Sequence, residues 1–514
     1  MTTQGYEAPD ITQPYTYCEL GCGHGYTTNI LAAANPLGEF YATDFEPAHI
    51  ANAKSLARDA QLKNVHFFDD SFAELGQRDD LPQFDFIVFH GILSWVSPAV
   101  QQDIVQFLKR RLKVGGVVYA SYNAMPGCGS LLGLRALLKA HIQTLGGNAV
   151  DRIDAAVQFV QQVAAQNSAY FQQHPTAKAR LDSFETANKH YLSHEYLHEY
   201  WQPFFHHEIV SMLTAAKLKF ISVAEIDAVF ESCCFTPEQH AILQTITDPI
   251  LLEQVKDTFL NRTFRRDLFV RGARKLTHVE QRVRLFESTR FTLTKPVAHI
   301  PAEHGLANGS FTFSEIFHSQ VLPLLAQQPH SIAELCVALS EPNPNVFYQQ
   351  LVLAIATQCV YPTIPVSGDA VETCRALNRV TAERGILDPS YCILVAPVLG
   401  SGFPLDNLSI MLLSAVAKGE FEPAALVQKL QRFGVTGFLG KVFTSSAEMQ
   451  LEFERLWPIF ESEQLPLLRK CTSSSVVSSK QYSRFNKKRN ILTLFCFPKH
   501  RVSTPLNALS MFWK

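Results

Sequence analysis

The chain is predicted to be an α/β protein built on an open, mainly parallel sheet, and three observations predict it. Short apolar runs at Tyr15 to Tyr17, Phe40 to Thr43, Val65 to Phe68 and Phe84 to Phe89 are separated by helix-length stretches, the alternation that a parallel sheet requires. The first run leads into Glu19-Leu20-Gly21-Cys22-Gly23-His24-Gly25, where glycines permit a sharp turn and a close backbone approach that a Cβ would block. The second run ends at Asp44, an acid at a strand tip where it can accept both hydroxyls of a ribose.

Taken in order, the elements narrow the ligand. A dinucleotide site needs G-x-G-x-x-G, with the third glycine three positions beyond the second. Tyr26 stands there instead, and the spacing is G-x-G-x-G. Nothing nearby resembles G-x-x-x-x-G-K-[ST], so a nucleoside without phosphates is favoured. S-adenosylmethionine fits, because Glu19 two residues before the first glycine suits its sulfonium cation and would repel a pyrophosphate. After the third apolar run comes Asp70-Ser71-Phe72. The fourth strand, Phe84 to Phe89, ends at His90-Gly91, and Leu112-Lys113-Val114-Gly115-Gly116-Val117-Val118-Tyr119 reads as the turn into a fifth that ends at Tyr122-Asn123.

These stations, in this order, resemble the class I S-adenosylmethionine-dependent methyltransferases. The resemblance implies that Glu19, Gly21, Gly23, Gly25, Asp44, Asp70, Ser71 and Phe72 bind the cofactor, with Asp70 receiving the adenine amino group. On the acceptor side the candidate catalytic residues are His90, Tyr122 and Asn123. His90 either lines the acceptor pocket or caps its strand and packs against Trp95. Tyr122 and Asn123 are read as acceptor-pocket groups in preference to a structural turn before Pro126-Gly127.

From about Leu131 to Glu199 the pattern turns helical and reads as an insertion, a candidate dimerisation surface. Leu218 to Ala224 then reads as a sixth strand and Arg265 to Gly272 as a seventh. The resulting fold is a Rossmann-like seven-stranded methyltransferase sheet with a helical insertion, followed by a winged-helix-like domain and a small mixed C-terminal region. The expected divisions are 1–130 (methyltransferase core), 131–200 (insertion), 201–285 (completing the sheet), 296–365 (winged-helix-like), 366–470 (mixed) and 471–514 (a basic tail). Tyr122 to Gly127, His194 to Leu197 and Phe264 to Asp267 narrow the resemblance to bacterial methyltransferases bearing a methyltransferase regulatory domain, a group that includes rickettsial-type protein lysine methyltransferases. The resemblance covers roughly residues 15–470 and implies N-methylation of protein lysine. Methylation of a small molecule or RNA remains an alternative. So does a non-catalytic adaptor, since the segment before the first strand is short for this group.

Composition excludes other classes. Formal net charge is −2, and no apolar run reaches the roughly 18 residues that a membrane span requires. The first 470 residues carry 37 basic against 47 acidic groups, whereas residues 471–514 carry eight basic groups and no acid. Ser310 to Pro365 contains no Lys or Arg, so the winged-helix-like region is not expected to bind nucleic acid, whose phosphates must be neutralised. Eleven cysteines without a C-x-x-C pair read as reduced thiols of a cytoplasmic protein.

One rival motif is present: His194-Glu195-Tyr196-Leu197-His198 is a literal H-E-x-x-H. A metzincin would continue with glycine at 201 and histidine at 204, where Trp201 and Phe204 stand. No metal is therefore expected.

Overall fold

In a computed structural model, the structure describes residues 1–185, 192, 196, 198–306, 309–385, 388, 390–418, 427, 428, 430, 431, 437, 438, 441–466 and 468. The expected basic tail lies outside the described residues.

The first half alternates strand and helix: β1 (Tyr15–Leu20), α1 (Tyr26–Ala34), β2 (Gly38–Thr43), α2 (Pro47–Asp59), β3 (Val65–Phe68), α3 (Phe72–Gln77), β4 (Phe84–Phe89), α4 (Pro98–Arg111) and β5 (Leu112–Asn123). Local chemistry sets the helix starts. Ser71 and Glu74 form a reciprocal capping box on α3. Ser97 caps α4, with Pro98 at its first position and Lys109, Arg110 and Arg111 in its last turn, where cations complement the helix dipole. β1 reads as an almost unbroken buried run because it lies inside the sheet with both faces covered.

The insertion contributes α5 (Leu131–Gln143), α6 (Ala149–Ala165), α7 (Ala169–Gln173) and α8 (Pro175–Asp182). It has its own core, including Leu134, Leu138, Ile153, Val157, Val160 and Phe184. The chain then returns as α9 (His206–Thr214), β6 (Leu218–Val223), α10 (Pro237–Leu243), α11 (Pro249–Leu260) and β7 (Phe264–Arg271). The sheet order is β3-β2-β1-β4-β5-β7-β6, and β7 runs antiparallel to both its neighbours. The seven strands and the late closure of the sheet are those the sequence predicts.

Beyond the sheet, β8 (Arg290–Leu293) and a hairpin of β9 (Glu303–Leu306) and β10 (Gly309–Thr312) precede α12 (Leu322–Gln327), β11 (His330–Ser331), α13 (Ile332–Leu339), α14 (Pro344–Ala356) and β12 (Val360–Thr363). β8 lies between β11 and β12 in a three-stranded antiparallel sheet. The third strand of this unit thus comes from before its first helix, not from a wing after its last. The C-terminal part adds α15 (Gly368–Arg384), a hairpin of β13 (Ile393–Ala396) and β14 (Ser401–Pro404), and α16 (Asn407–Lys418). Among the described residues no helix is long and apolar enough to cross a membrane.

Candidate functional site

The sheet order sets the tips of β3, β2, β1, β4 and β5 side by side along one edge, the edge at which open α/β sheets bind ligands. Gly21, Gly23 and Gly25 all have positive φ. At Gly25 a Cβ would come within 2.4 Å of Ala53 and 2.8 Å of Phe67, whereas at Gly23 it would meet nothing within 4 Å. The loop therefore packs tightly at its end and leaves open space at its middle. Its backbone is tied to β2 by Gly21 and Cys22 N–H groups donating to the Thr43 carbonyl at 2.8 and 3.0 Å.

Asp44 is buried and wired into the same loop. Its Oδ2 accepts the Gly23 N–H at 2.8 Å, and its Oδ1 accepts the Glu46 N–H and faces His49 Nδ1, both at 3.1 Å. The His49 ring lies 4.4 Å from that of His24. Glu19 is buried at the end of β1 and accepts a hydrogen bond from Thr28 Oγ1. Burial pushes its carboxyl up to about 7, with the Thr28 bond opposing and the Asp44 charge adding. Asp70 meets Arg78 at 3.0 Å, and Thr43 Oγ1 donates to its carbonyl at 2.6 Å. Ser71 is committed to capping α3, and Phe72 packs against the main core of the sheet.

His90 is held at the β4 tip, its Nδ1 3.0 Å from both Tyr119 Oη and Ser121 Oγ. Its ring stacks on Tyr119 and tilts against Phe264, with centroids 5.9 and 5.6 Å apart. Trp95 instead faces Trp201, His198 and the guanidinium of Arg135. Burial pushes Tyr119 up to about 12 although Arg266 opposes the shift, so this hydroxyl stays neutral near pH 7.

Tyr122 departs from expectation. It is fully buried, and its hydroxyl donates to Asp267 Oδ2 at 2.7 Å. Successive strand side chains point to opposite faces, so Tyr122 and Asn123 cannot both line one pocket. Tyr119, Ser121 and Asn123 share one face, and Tyr122 belongs to the other. Asn123 is fixed by its N–H donating to Ser94 Oγ at 2.9 Å and by its carbonyl accepting the Phe204 N–H at 2.9 Å. Sequence reasoning missed Tyr119 and Ser121, which counting back by twos along β5 from Asn123 would have found.

Beneath Tyr122, fully buried Arg265 bridges Asp267, Asp257 and Glu253 at 3.0, 2.7 and 2.9 Å. Burial alone would raise Asp267, but Arg265, His206 and Tyr122 together outweigh it and hold the carboxyl below its usual value. The His194-Glu195 part of the H-E-x-x-H motif lies outside the described residues. His198 faces the Tyr200 carbonyl at 3.0 Å, and among the described residues no cluster of His, Cys, Asp or Glu could hold a metal.

The open cradle at Gly23, the acid beside it and the lack of any Lys or Arg from Glu19 to Tyr26 fit an adenosyl group without phosphates. Comparison with known proteins agrees. A family model described as "Methyltransferase domain" matches residues 18–118, and one described as "Predicted methyltransferase regulatory domain" matches residues 188–271. The protein is a methyltransferase of the Rossmann-like class, and its methyl donor is S-adenosylmethionine.

The chain is 34% identical over 474 residues to the uncharacterized protein sll1526 of Synechocystis, covering 91% of this chain and 93% of that one, and it belongs to that protein's family. The uncharacterized protein RP789 of Rickettsia prowazekii is 27% identical over 54% of this chain and 49% of its own. PKMT2 from Rickettsia typhi, solved in complex with AdoHcy, shares the fold at TM-score 0.65 and 17% identity, covering 92% of this chain and 96% of that one.

Proposed function

We propose that this enzyme N-methylates lysine side chains of proteins. The observation that carries the reading is that the likeness to Rickettsia typhi PKMT2 runs through insertion, sheet and C-terminal units together, beyond the cofactor half common to many methyltransferases. In this reading Asp44 accepts the ribose hydroxyls, Glu19 answers the positive end of the cofactor, the glycine loop lies against the nucleoside, and Asp70, Ser71 and Phe72 border the adenine. S-adenosylmethionine supplies an electrophilic methyl carbon.

The acceptor must arrive as a neutral amine, although a free lysine has a pKa near ~10.4. Partial burial on the β4–β5 face would lower it. His90, held by Tyr119 and Ser121, and the tip at Asn123 orient the amine for in-line attack, so most of the rate comes from positioning and exclusion of water. Tyr122 acts from below by fixing the strand.

The test is incubation of the purified protein with radiolabelled S-adenosylmethionine and a lysate of the source cell. Label in protein, released as methyl-lysine on hydrolysis, supports the proposal. Label confined to RNA or small molecules overturns it.

A further inference from the structure

The first helix of the sheet carries the inference. α1 reads Tyr-Thr-Thr-Asn-Ile-Leu-Ala-Ala-Ala, with no charged residue, and a helix apolar around most of its girth needs cover on both sides. Its inner side is fastened to the cofactor loop. Thr28 donates to Glu19, and Asn29 Nδ2 donates to the carbonyls of Gly25 at 2.8 Å and Ala53 at 3.2 Å.

Its outer side is covered by the C-terminal unit of α15, β13 and β14. Tyr26, the residue directly after Gly25, donates its hydroxyl to the Ile393 carbonyl at 2.8 Å and accepts the Ile393 N–H at 3.2 Å. Its ring meets Tyr391 edge-on at 5.2 Å. At the other end of α1, Thr373 Oγ1 donates to the Ala33 carbonyl at 2.6 Å and Asn35 Nδ2 donates to the Gly400 carbonyl at 2.7 Å. Between them Ile30, Ala33 and Ala34 share a core with Cys374, Leu377 and Val395. Arg384 reaches Asp59 on α2 at 2.6 Å and Tyr391 Oη at 3.1 Å.

We propose that this C-terminal unit is a working part of the cofactor site, and that Tyr26 is the positioning residue that couples the two. The inference rests on the cofactor site proposed above. Gly25 has no slack between Ala53 and Phe67, so a shift of α1 is passed to the Gly23 N–H and to the Asp44 carboxylate bonded to it. The unit behind α1 holds the loop in its binding geometry. By reciprocity, a ligand on the loop must tighten the unit by the same factor.

Hydrogen exchange on the full-length protein, with and without S-adenosylhomocysteine, tests this. The segment 391–404 is expected to exchange about 5-fold more slowly with ligand. Tyr26→Phe, which keeps the ring, is expected to remove that protection and to raise the cofactor Kd and KM by about the same factor, with kcat at saturating cofactor and the acceptor KM little changed. A variant that only loosened the fold would not split the constants in this way. Calorimetric binding without any change of exchange at 391–404 overturns the coupling and leaves the cofactor site standing. Absence of calorimetric binding overturns the site itself, and the coupling with it. Should Tyr26→Phe not fold, the wild-type exchange pattern alone decides.

Discussion

At the scale of single residues, Glu19 and Tyr122 make opposite predictions about what a buried polar group does. Glu19 has a carboxyl raised from 4.5 to about 7, so between those values the folded protein holds a proton that the unfolded chain has released. Its stabilising contribution is complete below about 4.5 and lost as pH rises through about 7. With Glu19 at the cationic end of the proposed cofactor site, affinity is expected to run the other way, because the sulfonium cation favours the ionised carboxylate. Calorimetry at several pH values is expected to show binding of S-adenosylmethionine strengthening through about pH 7, with S-adenosylhomocysteine, which keeps the amino-acid zwitterion but lacks the sulfonium charge, much less affected. Equal pH dependence for the two ligands removes Glu19 from the cationic end of the site. Tyr122→Phe leaves Asp267 one hydrogen bond short in a buried setting, a loss of about 1–3 kcal/mol by urea denaturation. The enzyme that remains folded should retain its kcat, whereas His90→Ala should lower kcat by about 10²-fold or more. A Tyr122→Phe variant of full stability and collapsed kcat would return Tyr122 to the acceptor pocket.

At the scale of elements, the strands and turn around the proposed cofactor site were legible in the sequence because their signals are local. A strand, a glycine turn and an acid at the next strand tip all fall between Tyr15 and Asp44, and each has one physical meaning. The β4–β5 half was not legible in the same way. Which side chains of β5 are left open at its tip depends on β7, whose Asp267 seals Tyr122 from 145 positions away. The four-residue strand Arg290–Leu293 carries too little pattern to be read before its partners at 330 and 360 are known. The junction of glycine loop and α1 gives an element-scale prediction. Gly25→Ala combines a positive φ of 68° with a clash at Ala53, so it should displace the start of α1. Lost cofactor binding together with a Tm lowered by several degrees is expected for it, and unchanged binding and melting would show the loop to be slack. Arg265→Met, which removes the cation shared by buried Asp257 and Asp267 and half-buried Glu253, should cost about 3–5 kcal/mol in chemical denaturation.

At the scale of the whole molecule, cofactor loop, β4–β5 face, insertion and C-terminal unit form one arrangement around the edge of the sheet. The regions after the insertion close on the β5 tip, where Phe204 pairs with Asn123 and Ala124, and the last region closes behind α1. The sheet begun at Tyr15 is finished only at Arg271. Cofactor binding is expected to depend above all on the glycine loop and Asp44. The most direct test is calorimetric titration of S-adenosylhomocysteine into the wild type and Asp44→Ala, with melting curves recorded for both. One site per chain is expected in the wild type, and a Kd raised by about 10²-fold or beyond detection in the variant, equivalent to roughly 2.8 kcal/mol or more, with the variant still folded. Equal affinity in two folded proteins would contradict that dependence.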